Sequence, residues 1–262
     1  MAIACIYVLD CIFEPFIENH FPVKIALIGY GKMGRAIESM ALQRGHEIIC
    51  RVDLHNRAAW LKPEKLSAAD VAIEFTTPES AVDNLLACFN AGVPVVCGTT
   101  GWLQRWPEVE KLCREKNQTL VYASNFSLGV NLFFAVNKYL AQLMAAYPQY
   151  DVQIREVHHT QKKDAPSGTA ITLAEQILQR IERKKQWVNR PAMQPEELAI
   201  LSERVDPVPG IHEVRYSSAI DEIEIKHTAH SREGFALGAV LAAEWVEGKK
   251  GIFSMEDVLG LK

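Results

Sequence analysis

The sequence predicts an α/β protein that combines a doubly wound parallel sheet of the Rossmann type with a smaller α+β unit. Two observations predict it. Up to residue 127, short apolar runs alternate with helical periods, the pattern of a parallel sheet covered by helices. After residue 128, strand-like segments follow one another without helices between them, which favours an antiparallel or mixed sheet.

The first unit contains predicted strands at 23–28, 47–52, 70–75, 93–97 and 119–123. Its predicted helices lie at 35–44, 78–90 and 107–116, and a long helix over 128–147 leads out of the unit. In the second unit we expect strands at 151–157, 198–205, 211–217 and 220–228. An amphipathic helix is predicted over 170–181, and a last helix over 234–246.

Composition narrows the class of protein. The chain has 262 residues, of which 48% are hydrophobic and 23% charged, as in soluble globular proteins of one or two domains. The net charge of -4 argues against a nucleic-acid partner. No apolar run approaches the roughly 20 residues of a membrane span. The six cysteines lack C-x-x-C spacing, which indicates reduced, buried thiols in a cytoplasmic protein.

A glycine-rich turn between the first strand and the first helix has the dinucleotide-binding pattern. Residues 29–34 read G-Y-G-K-M-G, and Asp53 follows at the end of the next strand. Glycines let the backbone approach a pyrophosphate at the helix N-terminus, and the acid can bind ribose hydroxyls. The alternative is a structural turn followed by a surface acid. The predicted dinucleotide contacts in this region are Gly29, Tyr30, Gly31, Lys32, Met33, Gly34 and Asp53.

The identity of the nucleotide stays open at this stage. Asp53 favours NADH, because a carboxylate repels the 2′-phosphate of NADPH. However, Lys32, Arg51 and Arg57 are close in sequence and could neutralise such a phosphate. The cofactor prediction is therefore NADH, NADPH or both.

Two further loops follow the fourth and fifth strands. In open α/β sheets, ligands bind beyond the carboxyl ends of the strands, so these loops are expected to touch the dinucleotide. The alternatives are ordinary turns and, for Phe126, a position in the core. The predicted contacts are Gly98, Thr99, Thr100, Ala123, Ser124, Asn125 and Phe126.

Residues 156–170 carry an unusual density of polar groups and read E-V-H-H-T-Q-K-K-D-A-P-S-G-T-A. His158 ends a predicted strand and Lys162 lies in the following loop, and both are candidates for proton transfer near neutral pH. Gly168 and Thr169 lie at the start of a predicted helix, and their free backbone N–H groups form an anion site. His159 adds a further hydrogen-bond donor to this site. We therefore predict a small carboxylate or dicarboxylate ligand. The alternatives are a solvated basic loop and histidines that bind only backbone.

A metal site is not predicted. His227 and His230 are spaced H-x-x-H, but no carboxylate or cysteine lies at ligand spacing beside them.

The motif at 156–170 resembles the signature of bacterial dihydrodipicolinate reductase, now called 4-hydroxy-tetrahydrodipicolinate reductase. The resemblance runs from about residue 23 to residue 262 and includes G-Y-G-K-M-G-R at 29–35, V-A-I-E-F-T-T-P-E at 71–79, G-T-T-G at 98–101 and N-F-S-L-G-V-N at 125–131. It implies NADH- or NADPH-dependent reduction of a cyclic dicarboxylate imine of diaminopimelate and lysine synthesis. It also implies a homotetramer assembled through the sheets of the second unit.

The resemblance assigns roles and domains. It implies that His158 is the acid/base, that Lys162 is the proton donor, and that His159, Gly168 and Thr169 hold the substrate carboxylates. It implies a dinucleotide-binding domain at 23–127 and 234–262 and a substrate-binding and oligomerisation domain at 128–233. Residues 1–22 have no counterpart and are expected to be an extension of unknown role.

One departure from the family concerns the nucleotide, since Leu54 follows Asp53 where some members carry an arginine. A competing interpretation is a dehydrogenase of the same scaffold that acts on an amino-acid semialdehyde. This interpretation does not account for the motif at 156–170. A second alternative is a non-catalytic nucleotide sensor. Its argument is weakened by the complete set of candidate catalytic and binding residues, namely His158, Lys162, Gly168 and Thr169.

Overall fold

The computed structural model describes residues 21–261. The extension predicted over residues 1–22 therefore lies outside the described residues except for its last two positions, and so do Cys5 and Cys11. The four described cysteines are free and buried. None of the described helices is long and apolar enough to cross a membrane.

The first sheet has six parallel strands. Five of them have bounds close to the predicted ones, and the sixth was not predicted. Its strands are β1 (Lys24–Ile28), β2 (Glu47–Val52), β3 (Val71–Glu74), β4 (Val95–Cys97), β5 (Thr119–Tyr122) and β11 (Gly251–Phe253). They lie in the order β11-β5-β4-β3-β1-β2, so the order reverses between β1 and β3. The predicted Rossmann-type sheet is confirmed, and the order places the carboxyl ends of β1, β3 and β4 side by side.

Helices cover both faces of this sheet, as the continuous apolar strands require. They are α1 (Lys32–Gln43), α2 (Arg57–Trp60), α3 (Pro63–Leu66), α4 (Pro78–Ala91), α5 (Trp106–Glu115), α8 (Glu233–Trp245) and α9 (Met255–Val258). The buried residues of β1 alternate between the two cores. Ile25 and Leu27 pack with α1 and α8, whereas Ala26 and Ile28 pack with α4 and α5.

The second sheet is mixed, as predicted. It is formed by β6 (Asp151–His158), β7 (Gln186–Val188), β8 (Glu197–Arg204), β9 (Gly210–Ser217) and β10 (Glu222–Ala229), in the order β10-β9-β6-β8-β7. The central strand β6 pairs antiparallel with β9 and parallel with β8. One face is covered by α6 (Leu128–Met144) and α7 (Gly168–Leu178), which form a third apolar core with the strands.

Several short elements were not predicted, namely α2, α3, α9, β7 and β11. β11 has only three residues, and the edge of β5 provides its hydrogen bonds, beginning with Gly251 N–H to the Gln118 carbonyl at 2.9 Å. α7 begins at Gly168, two residues before the predicted start, because the Ser167 side chain accepts the N–H of Ala170 and caps the helix. The strand predicted to start at 220 starts at Glu222, because Ser218 and Asp221 close a turn, with the Ser218 N–H 2.9 Å from the Asp221 carbonyl.

Candidate active site

The glycine-rich turn has distinct spatial requirements at its three glycines. Gly29 has a φ of +98°, and a Cβ there would lie 2.0 Å from the carbonyl oxygen of Phe75. A Cβ at Gly34 would lie 2.2 Å from the carbonyl oxygen of Gly29. At Gly31, by contrast, a Cβ would meet nothing within 4 Å. Gly29 and Gly34 thus allow the turn and the helix packing, and Gly31 leaves open space for a pyrophosphate at the start of α1, so these residues fit a dinucleotide.

Asp53 lies immediately after β2 and is exposed. Its Oδ1 atom accepts the backbone N–H groups of His55 and Asn56, at 2.8 and 3.1 Å. These two bonds hold the carboxylate at the carboxyl end of the strand, where the ribose acid of a dinucleotide site is expected.

Two of the three cations considered for a 2′-phosphate are bound to other side chains. Arg51 Nε donates to Glu38 Oε1 at 2.8 Å, and Arg57 Nε donates to Asn84 Oδ1 at 3.1 Å. Lys32 is exposed at the first position of α1.

A small cavity of about 240 Å³ lies at the carboxyl ends of β3 and β4. A Cβ at Gly98 would lie 2.2 Å from the Phe75 ring, so this wall requires glycine. The Thr99 hydroxyl accepts the N–H of Thr76 at 2.7 Å and holds the two loops together. The residues that line the cavity are Met33, Phe75, Thr76, Pro78, Gly98, Thr99 and Thr100.

A larger cavity of about 1320 Å³ lies between the two sheets, and Thr100 lines both cavities. It brings together predicted residues from both halves of the chain: Thr100, Ser124, Asn125, His158, His159, Lys162, Gly168 and Thr169. Asn125 Nδ2 lies 3.4 Å from the Thr169 hydroxyl and connects the loop after β5 to the start of α7.

Phe126 and Ala123 do not line either cavity. The Phe126 side chain is 1% exposed and packs against Phe75, with 5.6 Å between the ring centroids. Of the two interpretations of Phe126, the structure places its ring in the core.

His158 is held by a buried carboxylate. Its Nδ1 atom is hydrogen-bonded to Glu156 Oε2, two residues earlier on β6, and Arg204 at the end of β8 donates to Glu156 Oε1 at 3.0 Å. Burial alone would raise the pKa of Glu156, but hydrogen bonds from His158, Ser202 and Arg204 outweigh it and lower this pKa to about 2. Glu156 is therefore ionised near pH 7, and its hydrogen bond to Nδ1 fixes the orientation of the imidazole.

A second histidine, His212 on β9, packs against His158 with 5.0 Å between the ring centroids. Its Nε2 atom is 3.0 Å from the hydroxyl of Ser167, the residue that caps α7. Burial, reinforced by the nearby His158, lowers the pKa of His212 to about 3. His212 is thus neutral near pH 7, and its contact with Ser167 holds the start of α7 against the second sheet.

The loop between β6 and α7 is tied at both ends. Lys162 Nζ donates to Asp164 at 2.9 Å, and Arg204 donates to the Asp164 carbonyl at 2.6 Å. The Thr160 hydroxyl and N–H both donate to Asp206, at 2.5 and 3.1 Å. Lys163 is exposed in the cavity wall. The loop therefore holds the Lys162 ammonium group at the large cavity in a defined position.

Comparison with known proteins decides the family. The family models for the N-terminus and the C-terminus of dihydrodipicolinate reductase match residues 23–126 and 129–259. The 4-hydroxy-tetrahydrodipicolinate reductase of Christiangramia forsetii is 48% identical over 237 residues, covering 90% of this chain and 98% of the relative.

The chain belongs to the dihydrodipicolinate reductase family.

Other members and solved structures agree with this assignment. The 4-hydroxy-tetrahydrodipicolinate reductase of Methanosarcina barkeri is 40% identical and covers 80% of this chain and 79% of the relative. A solved dihydrodipicolinate reductase from Paenisporosarcina sp. TG-14 with dipicolinate bound has a TM-score of 0.71 at 23% identity, covering 89% of this chain and 98% of that one. This last similarity shows a shared fold. For a reductase family with a Rossmann-type sheet, the cofactor is a nicotinamide dinucleotide.

Sequence reasoning missed four residues at the large cavity. His212 and Arg232 line it, and Glu156 and Arg204 lie behind His158. Glu156 is the first residue of the motif at 156–170, and its position in the sequence alone indicates no role. Arg204 is the direct neighbour of His158 in the parallel pairing of β6 and β8, and His212 is opposite Glu156 in the pairing of β6 and β9. Only the sheet register, which the sequence does not contain, would have identified these two.

The histidines of the large cavity also raise the question of a metal. Among residues 21–261, Glu156, His158 and His212 offer ligand atoms within 4.8 Å of one another. Each of the three is already hydrogen-bonded, and the Arg204 guanidinium beside Glu156 disfavours a second cation. His227 and His230 line the large cavity instead. That the protein requires no metal stays a prediction.

Proposed function

We propose that this chain reduces 4-hydroxy-tetrahydrodipicolinate to tetrahydrodipicolinate, with loss of water, in diaminopimelate and L-lysine biosynthesis. The observation that carries the proposal is the large cavity, in which His158, Lys162 and the start of α7 face the carboxyl-end loops of the first sheet. Relatives covering most of the chain bear the name of this enzyme. A semialdehyde dehydrogenase, the competing interpretation, would not require the anion-binding N–H groups of Gly168 and Thr169 opposite the nucleotide loops.

The dinucleotide is proposed to lie along the carboxyl ends of β1, β2 and β4, where its dihydronicotinamide supplies a hydride when bound. Residues 29–34 would accommodate the pyrophosphate, and Asp53 would accept hydrogen bonds from the adenosine ribose. The loops at 98–100 and 123–126 would contact the nicotinamide half. Asp53 and the engaged Arg51 support NADH as the preferred form, with NADPH as the alternative.

The substrate carboxylates are proposed to bind at the start of α7. The N–H groups of Gly168 and Thr169 point out of the helix, and no atom lies within 4 Å of a Cβ built at Gly168, so an anion has room there. His159 and Arg232 line the same cavity and supply further donors. Two carboxylates held in this way would fix the ring relative to the nicotinamide loops, which is the positioning part of catalysis.

Proton transfer is proposed for Lys162 and His158. Reduction adds electron density to the conjugated imine, and Lys162 is positioned to protonate it. Because Glu156 engages Nδ1 of His158, the imidazole exchanges protons with a ligand through Nε2. Glu156 and Arg204 orient this group without contacting the ring.

The proposal is tested by following NADH oxidation with the imine generated in place by its synthase, and with a panel of amino-acid semialdehydes at the same NADH concentration. Turnover is expected with the imine only. Turnover of a semialdehyde with no activity on the imine would overturn the substrate assignment. Binding of NADH without turnover of any substrate would favour a nucleotide sensor.

The division into a dinucleotide-binding domain at 23–127 with 234–262 and a substrate domain at 128–233 belongs to the same proposal. It is supported by the two separate sheets and by the return of α8, β11 and α9 to the first of them. The homotetramer and the cytoplasmic location remain predictions.

A further inference from the structure

A cluster of charged and aromatic side chains lies against the glycine-rich turn. Tyr30, between the first two glycines, donates its hydroxyl to Glu38 Oε2 on α1, while Glu38 Oε1 accepts from Arg51 on β2. The guanidinium carbons of Arg35 and Arg51 lie 5.6 and 5.9 Å from the centroid of the Tyr30 ring. We call Tyr30, Glu38 and Arg51 the ribose-side triad.

The triad lies where the adenosine ribose is expected. In Rossmann-type folds the acid after the second strand binds the ribose 2′-hydroxyl, and here that acid is Asp53. Arg51 is the next-to-last residue of β2 and Asp53 follows the strand directly; both side chains are exposed, whereas Val52 between them is buried. Arg51 is therefore a cation suitably placed to reach a phosphate on the ribose 2′-oxygen.

Glu38 prevents this use of Arg51. Its carboxylate is 13% exposed and the Arg51 side chain is 43% exposed, so the ion pair joins a largely buried acid to a solvent-accessible arginine. Both Nε and an Nη atom of Arg51 bind the same carboxylate oxygen. The Glu38 carboxylate thus neutralises the guanidinium charge of Arg51. The second oxygen of this carboxylate accepts a hydrogen bond from the Tyr30 hydroxyl.

We infer that Glu38 is a specificity-determining residue for the nucleotide, because it sequesters Arg51 and so disfavours binding of the 2′-phosphate of NADPH. This inference rests on the proposed use of a nicotinamide dinucleotide. In the wild type, Asp53 and Glu38 act together against a 2′-phosphate. Loss of the Glu38 charge alone would free the Arg51 guanidinium to bind the 2′-phosphate.

The test measures NADH and NADPH affinities by quenching of protein fluorescence, without substrate. Wild type is expected to bind NADH more tightly. Glu38→Gln is expected to strengthen NADPH binding about tenfold, while NADH affinity changes by less than about threefold. The double variant Glu38→Gln/Arg51→Met should lose the gain, since it lacks the released cation. An unchanged NADPH affinity in Glu38→Gln, or a gain that persists in the double variant, would overturn the inference.

The matched control is Glu110→Gln, which removes one carboxylate from another helix surface. Glu110 pairs with Arg114 at 2.8 Å and lines neither cavity. An equal gain of NADPH binding in this control would mean that net charge, and not Arg51, is responsible.

A second variant keeps the inference testable if Glu38→Gln does not fold. Glu38→Ala places the best helix-forming residue on α1 and removes the same carboxylate, so it should also strengthen NADPH binding about tenfold. An NADPH affinity unchanged from wild type in Glu38→Ala would refute the role of Glu38. Because these are binding measurements, a failure of the proposed imine reduction would leave them interpretable.

Discussion

Two adjacent lysines allow the proton-transfer role to be separated from general charge effects. Lys162 is bound to Asp164 and faces the cavity, whereas Lys163 is exposed beside it. Lys162→Ala is expected to lower kcat about a hundredfold or more, with a much smaller rise in KM, because the group acts in the transition state. Lys163→Ala should change kcat less than about threefold. Steady-state kinetics with the imine checks both, and a kcat near wild type in Lys162→Ala would exclude the proton-donor role.

The neutral His212 predicts a dependence of stability on pH. Its folded pKa of about 3 lies below the ordinary value of 6.5. Between these values the unfolded chain binds a proton that the folded chain does not, so the free energy of unfolding falls as pH falls below 6.5. Between pH 7.5 and 5.5 this loss is about 1 kcal/mol.

His212→Gln should remove this part of the pH dependence, since glutamine does not titrate. His55, which is exposed, provides the control, and His55→Gln should leave the dependence unchanged. Denaturant unfolding at the two pH values measures the difference. If wild type and His212→Gln lost equal stability on acidification, the buried neutral histidine would not be its source.

At the level of elements, α8 lies against the loop after β5 through a close backbone approach. A Cβ at Gly238 would lie 1.7 Å from the carbonyl oxygen of Phe126, a backbone atom that cannot move aside. At Gly234 the nearest atom is the Ser127 hydroxyl oxygen, at 3.3 Å, which can rotate. The two glycines on one helix therefore differ sharply in their tolerance of a methyl group.

Gly238→Ala is expected to destabilise the protein by about 3 kcal/mol, because α8 must move away from the loop after β5. This corresponds to a fall in Tm of about 10 °C. Gly234→Ala is the control and should cost about 1 kcal/mol or less. Thermal unfolding followed by circular dichroism compares them, and equal melting temperatures would contradict the close approach.

Elements differ in how well the sequence predicts them. β2 was predicted with its observed bounds, because its strand pattern ends at a glycine on one side and an acid on the other. β11 and β7 have three residues each, too few for a periodicity, and each exists because a neighbouring strand offers an open edge. Their prediction would require the sheet order.

At the level of the whole molecule, the sequence indicated candidate site residues where a short local motif carries them, as in the loops after β4 and β5 and in the stretch at 156–170. His158, Lys162, Gly168 and Thr169 fall in one stretch, whose spacing already indicates a strand end, a loop and a helix start. Arg204 and His212 reach the same place from β8 and β9, through the pairing of those strands with β6. The sequestration of Arg51 by Glu38 likewise depends on the packing of α1 against β2, and the spacing alone suggested a free cation.

The position of β11 has a consequence for synthesis on the ribosome. The chain makes β1 to β5 first, then the entire second sheet, and only afterwards the strand that covers the edge of β5. Until then the nascent protein carries an open strand edge, and the core residues of β1 lack their partners on α8. Completion of the first sheet therefore waits for translation of the second sheet, so a chain that ends before α8 and β11 are made has an unfinished first sheet.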